Sequence, residues 1–337
     1  MLPNGERLLL TEQYSLYRLN FDYYIGIFQK RLTMNYIPRY IKLNETGELH
    51  KRIHLLNDIL RKCTLCPRQC RVNRLKGEIG FCQAGEKLMI SSVFPHFGEE
   101  EPLVGKSGSG TIFLTHCNLQ CIFCQNYDIS HQGHGKPSSS QQLAFYMHSL
   151  QEKGCHNINF VTPTHYLPQI IASLPHAVDL GLHVPLVYNC GGYESLEMIT
   201  LLDGIIDIYM PDIKFADSEV AEKYAKAPDY PAVVKKVLRE MHRQVGDLQI
   251  SEKGLAEKGL LIRHLVMPEG LAGTHELMHF ITTEISPHSY VNVMSQFRPQ
   301  YKAYNYPELN RAITYQEYSN AIVSAISEGL HRGFPHS

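Results

Sequence analysis

What the 337-residue chain lacks narrows its class before any motif is read. No apolar run reaches the roughly 18 residues needed to cross a bilayer. The opening MLPNGERLLLTEQYSLYRLN has no basic stretch followed by an apolar core and a small-residue cleavage site. A cytoplasmic protein with no membrane partner is expected. Charge of either sign is missing as a surplus: 32 Lys and Arg stand against 33 Asp and Glu, with a net charge of −1 and a pI near 7.0. No global field therefore recruits nucleic acid or an anionic surface. Internal repeats and low-complexity tracts are also absent, and 44% hydrophobic residues suffice for one large core. The nine cysteines are odd in number and accompany no export signal, which argues against a disulfide framework and for metal or redox chemistry.

Residues 1–50 read as an N-terminal helical extension, rich in tyrosine and carrying the helix-like TEQYSLYRLNFDYYIGIFQKRL, and Met34 offers a second start. Residues 51–106 read as a basic four-cysteine module and linker, 107–305 as the core, and 306–337 as a C-terminal helix. Within the core, six β-rich runs alternate with helical stretches: GTIFLT (110–115), NINFV (157–161), HVPLVY (183–188), IIDIYM (205–210), LLIRHLV (260–266) and YVNVMS (290–295). Parallel neighbours need connections long enough to hold a helix, so the pattern predicts an α/β fold, a partial (β/α)6 TIM-like barrel. Functional residues in such a barrel sit where strands end and loops begin.

Seven of the nine cysteines fall between positions 63 and 124. Cys117, Cys121 and Cys124 form C-x3-C-x2-C starting two residues beyond GTIFLT. Three thiolates on one short loop repel unless a metal holds them. Three ligands on a four-iron cube leave one iron open, a place for a substrate to bind. A structural zinc knuckle completed by His116 or His131 is the competing use of the same thiols. Upstream, Cys63, Cys66, Cys70 and Cys82 form C-x2-C-x3-C-x11-C, a four-thiolate set suited to zinc or to a second iron–sulfur cluster. Residues 51–76 hold eight Lys or Arg against the single acid Asp58, which reads as a solvated basic face or a dock for an acidic partner.

The C-x3-C-x-aromatic-C pattern, with Phe123 before its last cysteine, resembles the signature of the radical S-adenosylmethionine superfamily. GSGTIFLTHCNLQCIFCQN resembles the group related to pyruvate formate-lyase activating enzyme. The likeness runs from about residue 60 to 305 and includes NINFVTPTHY, VYNCGGY, IYMPDIK and IRHLVMP.

This resemblance implies that Cys117, Cys121 and Cys124 hold a [4Fe-4S] cluster whose fourth iron binds S-adenosylmethionine, which is cleaved reductively to a 5′-deoxyadenosyl radical. It places Phe123, Gln125, Asn126, Asn189, Gly191, Met210, Asp212, Lys214, Arg263 and His264 around the cofactor, with a monovalent cation between Asp212 and the cofactor carboxylate. Where many members carry Gly-Gly-Glu, this chain reads VTPTHY, so Thr162 and Thr164 offer hydroxyls and carbonyls instead. His165 is read as a substrate-side or loop residue, and Cys190 as a packed small hydrophobe. The implied partners are an electron donor such as flavodoxin or ferredoxin and a glycyl radical enzyme as protein substrate. A small-molecule substrate is the alternative, and a zinc-stabilised nucleic-acid-binding protein is a more distant one.

Two motifs are set aside. HELMH (275–279) matches H-E-x-x-H, but on a helical wheel His275 and His279 lie opposite the apolar arc of Leu277, Phe280, Ile281 and Ile285. GKS (105–107) lacks the glycine a phosphate loop needs at position 100, which is Glu100.

Overall fold

A computed structural model describes residues 36–334. The chain divides into two units between Ile37 and Pro38. The helix-like stretch at 11–32 lies outside the described residues, and of the extension read over 1–50 only 36–50 are described. The second unit holds the strands β1 (Leu88–His96), β2 (Ser109–Leu114), β3 (Lys136–Ser138), β4 (Ile158–Val161), β5 (Leu186–Cys190), β6 (Ile208–Pro211), β7 (Gln249–Ile250), β8 (Ala256–Leu265) and β9 (Tyr290–Met294).

Its α-helices are α1 (Arg39–Glu45), α2 (Glu48–Ile59), α3 (Glu101–Val104), α4 (Tyr127–Ser130), α5 (Ser140–Glu152), α6 (Leu167–Asp179), α7 (Leu196–Leu201), α8 (Ser218–Ala225), α9 (Tyr230–Val245), α10 (Thr274–Phe280) and α11 (Tyr315–Ser327). Helix starts follow their sequence signals. Ser139 and Gln142 form a reciprocal capping box before α5, and Thr314 and Glu317 form one before α11.

The six expected runs are all strands, and β2, β4, β5, β6, β8 and β9 pair in parallel in that order. The fold is thus a partial (β/α)6 barrel. Three strands were not anticipated: β1, β3 and the two-residue β7, which pairs antiparallel with β8. Residues 88–96, read as linker, form β1, which runs antiparallel to β2 from Ile90↔Leu114 to His96↔Ser109, and β3 pairs on its far side. The boundary expected at residue 50 falls inside α2.

Register assigns the two faces. A Cβ on Gly110 would meet Leu150 of α5, so Gly110, Ile112 and Leu114 face the helices. By alternation Thr111 and Phe113 face the lumen. Parallel pairing extends that inner face through Asn159, Asn189, Met210, Arg263 and Asn292. The outer face is apolar, with Phe160, Tyr188, Leu260, Ile262 and Val291 buried against helices, whereas much of the lumen is polar. A polar interior is costly unless its groups are paired, which concentrates interest there.

Candidate functional site

The triplet loop begins where β2 ends. Thr115 is buried, with its N–H on the Met89 carbonyl, and His116 turns the chain at a φ of +66°. Residues distant in sequence then fix the loop. Asn118 Nδ2 donates to the Tyr193 carbonyl at 2.5 Å, Ile122 N–H to Tyr224 at 3.0 Å, and Lys302 N–H to Ile122 at 2.9 Å. Phe123 packs between Phe215 and Phe297, with ring centroids 6.1 and 6.0 Å away.

Cys117 Sγ accepts from Leu119 N–H at 3.3 Å, and Cys124 Sγ lies 3.1 Å from Ser130 Oγ. Burial pushes the Cys121 thiol up to about 12, opposed by Lys214 and reinforced by Cys124. Burial also raises Cys117, with Cys121 and Cys124 adding to the rise. Cys117 and Cys121, each held protonated by burial and by neighbouring thiols, with a lysine ammonium beside them, suit a cationic iron–sulfur centre, which would relieve that penalty. Among the described residues no three His, Cys, Asp or Glu side chains converge closely enough for one metal ion. His131 is not turned to the thiols: its Nε2 lies 3.2 Å from the Cys121 carbonyl.

Beside the loop stands a buried ionic group. Asp212 Oδ2 meets Lys214 Nζ at 2.5 Å, and Oδ1 accepts from Arg263 Nε at 2.9 Å. Arg263 Nη2 also donates to Asn189 Oδ1 at 2.8 Å. Burial works to raise the Asp212 carboxyl, but Arg263 and Lys214 prevail and hold it below its ordinary value. Lys214 is raised against its own burial by Asp212 and Cys121. Both carboxylate oxygens are therefore engaged by cationic side chains, in the place where a monovalent cation was expected.

Gly191 and Gly192 let the β5 loop pass closely: a Cβ on Gly191 would lie 3.0 Å from Leu119, and one on Gly192, at a φ of +75°, 2.3 Å from the Asp212 carbonyl. Met210 is buried in the lumen. Gln125 and Asn126 lie on the rim, where Gln125 Nε2 donates to the Gln296 carbonyl.

Thr162 sits at a φ of +59°, rare for a β-branched residue, with its N–H on the Asn189 carbonyl at 2.8 Å. The Thr164 hydroxyl donates to Glu194 Oε1 at 2.8 Å. His165 is buried, its Nε2 2.7 Å from the Thr115 carbonyl, and burial drives its ring down to about 3, so it is neutral. His264 is likewise driven down to about 4 by burial, and both ring nitrogens are engaged, by Ile213 and Thr274. Neither of its nitrogens remains for a cofactor. Cys190 is buried beside Glu194, as a packed residue.

Sequence reasoning missed Glu194, Glu99, Arg68 and Arg74. Glu194 is buried between the β4 and β5 loops, accepts from Thr164 and Tyr188, and is raised to about 7, chiefly by burial. The acid after the glycine pair in VYNCGGYE was the available signal.

Cys63, Cys66, Cys70 and Cys82 are gathered in one place. Burial raises Cys63, Cys66 and Cys82, and each is raised further by neighbours in the set, Cys66 to about 12. A Cβ on Gly80 would strike Cys70 Sγ, so glycine at 80 admits that thiol. Arg74 is buried, donates to the Gly85 and His165 carbonyls, and lowers Cys63 and Cys82. Arg68 donates to the Asn118 carbonyl at 3.1 Å, thus reaching the triplet loop, and stacks 3.8 Å from the Phe81 ring centroid. The run read as a solvated basic face is therefore partly internal, since Arg52, Arg68 and Arg74 all serve backbone carbonyls. His275 and His279 are exposed on α10, with their Nδ1 atoms 3.4 and 2.9 Å from Glu328, in keeping with their placement away from the core.

An incomplete β/α barrel with a cysteine loop at the C-terminal end of its first parallel strand defines the class. No family model matches the chain. It is 34% identical over 284 residues to the uncharacterized protein MJ0674 of Methanocaldococcus jannaschii, covering 81% of this chain and 77% of that one, and it belongs to the same family. Partial overlays exist on SuiB of Streptococcus suis bound to the precursor peptide SuiA (12% identity, TM-score 0.42, 63% of this chain and 44% of that one) and on TYW1 with a lysine-pyruvate adduct (9%, 0.36, 64% and 73%). A third is on OxsB, a cobalamin-dependent S-adenosylmethionine radical enzyme (11%, 0.34, 68% and 38%). The chain thus spans under half the length of SuiB and OxsB. No helix among the described residues is long and apolar enough to cross a membrane.

Proposed function

We propose that the chain is a radical S-adenosylmethionine enzyme. The observation that carries the reading is the C-x3-C-x2-C loop at the end of β2, with Cys117 and Cys121 set beside Lys214, which Asp212 holds and which Arg263 and Asn189 back up through Asp212. Cys117, Cys121 and Cys124 would hold a [4Fe-4S] cluster, which with bound S-adenosylmethionine supplies one-electron cleavage of the sulfonium C–S bond. Lys214 brings positive charge to the thiolates and to a cofactor carboxylate, while Asp212 and Arg263 fix its position. The buried loop and its aromatic cover of Phe123, Phe215 and Phe297 exclude water.

The four-cysteine set holds zinc or a second iron–sulfur cluster, and a flavodoxin- or ferredoxin-class protein delivers the electron. In the activase-like form of this reading the hydrogen donor is a glycine of a glycyl radical enzyme. A small-molecule donor is the second form, favoured by the polar lumen. The inward use of Arg52, Arg68 and Arg74 speaks against a nucleic-acid role. The deciding experiment is anaerobic reconstitution, iron and sulfide analysis, and incubation of the reduced protein with S-adenosylmethionine. Production of 5′-deoxyadenosine and methionine is expected, and its absence at a demonstrably reduced cluster would sink the reading.

A further inference from the structure

Arg74 is the bulkiest fully buried side chain among the described residues, at 1% exposure. Its guanidinium donates to the Gly85 carbonyl from Nε, at 2.9 Å, and from Nη2, and to the His165 carbonyl from Nη1 at 2.7 Å. It lies 5.9 Å from the Tyr166 ring centroid. Every acceptor is neutral, and among the described residues no carboxylate stands within ion-pair distance of Arg74. A guanidinium does not lose its proton in a protein, so the fold encloses a positive charge with no anion beside it, which is costly. Arg263, in the barrel, is the contrast, for it pairs with Asp212 and reaches Glu99.

That charge sits within the four-cysteine set. The Arg74 N–H binds the Leu60 carbonyl, three residues before Cys63, and Gly85 lies three residues after Cys82, so the arginine joins the two ends of the module. Burial raises the Cys63 and Cys82 thiols, while the backbones of Leu65 and Ala84, and then the charge of Arg74, act the other way without prevailing. Burial and then the same charge hold the His116 ring below its ordinary value. Glu194, whose charge reaches Cys66, spends its oxygens on Thr164 and Tyr188. The cation thus favours negative charge at the sulfurs, and no carboxylate supplies it. Four thiolates around one divalent ion, or around a cluster core of the same charge, leave a dianion, whereas three thiolates and a neutral histidine leave only a monoanion.

We propose that Arg74 is the buried counter-ion of a dianionic four-thiolate metal centre formed by Cys63, Cys66, Cys70 and Cys82, so that metal and guanidinium stabilise one another. This rests on the reading that the set holds a metal and deepens it, since all four sulfurs become ionised ligands and the sign of the centre is fixed whichever metal is held. Among the described residues no three such side chains stand close enough for a single ion. The thiols therefore draw together as they ionise around the metal, under a positive charge already in place. Arg68 serves as the internal control. It too ties the module to the barrel, through the Asn118 carbonyl, but it is only half-buried and stacks on Phe81.

The test uses the full chain carrying Cys117→Ala, Cys121→Ala and Cys124→Ala, with Zn²⁺ as the probe of the upstream set. Affinity is read by chelator competition, and proton release by calorimetry in buffers of different ionisation heat near about pH 6.5. About four protons should leave per ion bound, and only about three would overturn the four-thiolate assignment. Arg74→Gln, which keeps a donor but not the charge, should lose about tenfold or more in affinity. Arg74→Lys, which keeps the charge, should stay within about threefold of its parent, as should Arg68→Gln. Where a variant folds only with metal, the Zn²⁺ concentration that folds it gives the same comparison. Equal losses in Arg74→Gln and Arg74→Lys would reduce Arg74 to a structural tie and overturn the counter-ion alone. No Zn²⁺ binding by the parent chain would remove the metal reading, and the proposal with it.

Discussion

The loop of Cys117, Cys121 and Cys124 is fixed by partners on many elements, among them Tyr193, Tyr224, Ala225 and Lys302, and it lies against a lysine. The set of Cys63, Cys66, Cys70 and Cys82 is held largely by its own turns, with backbone bonds from Cys63 to Val72, Arg71 to Cys63 and Gln69 to Cys66. Two buried or half-buried arginines tie that set to the barrel. The barrel thus positions the first site for chemistry, whereas the second is a local knot that borrows the barrel for support. Four thiolates can close a metal against further ligands, but three cannot.

The largest effect should come from setting Cys121→Ala beside Cys66→Ala. The first is expected to abolish S-adenosylmethionine cleavage, while the second lowers yield or iron content yet leaves cleavage by the folded fraction. Cleavage per triplet cluster, read from product and iron analysis, decides; a well-folded Cys66→Ala protein that cannot cleave would give the second site a redox role.

Asp212→Asn leaves Lys214 and Arg263 without their shared anion. Losing one partner of such a group costs about 2 to 5 kcal/mol, so cofactor affinity should fall at least about tenfold at matched iron content. Equal affinities in a binding titration would reduce Asp212 to a structural charge.

Glu194 sharpens the comparison through pH, because it touches both regions: it accepts from Thr164 in the barrel loops and raises Cys66. Its carboxyl moves from an ordinary 4.5 to about 7. The fold therefore keeps a proton that the unfolded chain has already lost. The resulting stability is fully present below pH 4.5 and is lost as pH rises through 7, about 3 kcal/mol in all. Because Gln stays neutral as the protonated Glu is, Glu194→Gln should be close to the wild type in unfolding free energy at pH 5 and the more stable of the two at pH 8, and a pH-independent difference would contradict the assignment.

The smallest effect is expected from Arg68→Ala, which removes the link to Asn118 and the stack on Phe81. About 1 to 2 kcal/mol of stability should go, with the metal content unchanged, as denaturant unfolding and metal analysis would report.

The barrel strands were legible because buried parallel strands read as short apolar runs, and the triplet because its spacing is local. β1 was not, since Leu88–His96 mixes serine and proline and only its pairing with β2 makes it a strand. Glu99, Arg74 and Glu194 stayed hidden for a related reason. Their meaning lies in partners such as Arg263 and His165, which no window of sequence brings together. The basic run misled because charge count does not say which arginines turn inward.

Arg74 reaches the carbonyl of a residue 91 positions further on, and Arg68 one 158 positions on. During synthesis at about 5 to 20 residues per second, the four upstream thiols emerge many seconds before the carbonyls that seat them. The nascent knot therefore lacks these two anchors while the barrel is still being made. A chain ending before Thr164 should accordingly leave all four thiols open to alkylation, whereas the full chain should shield them.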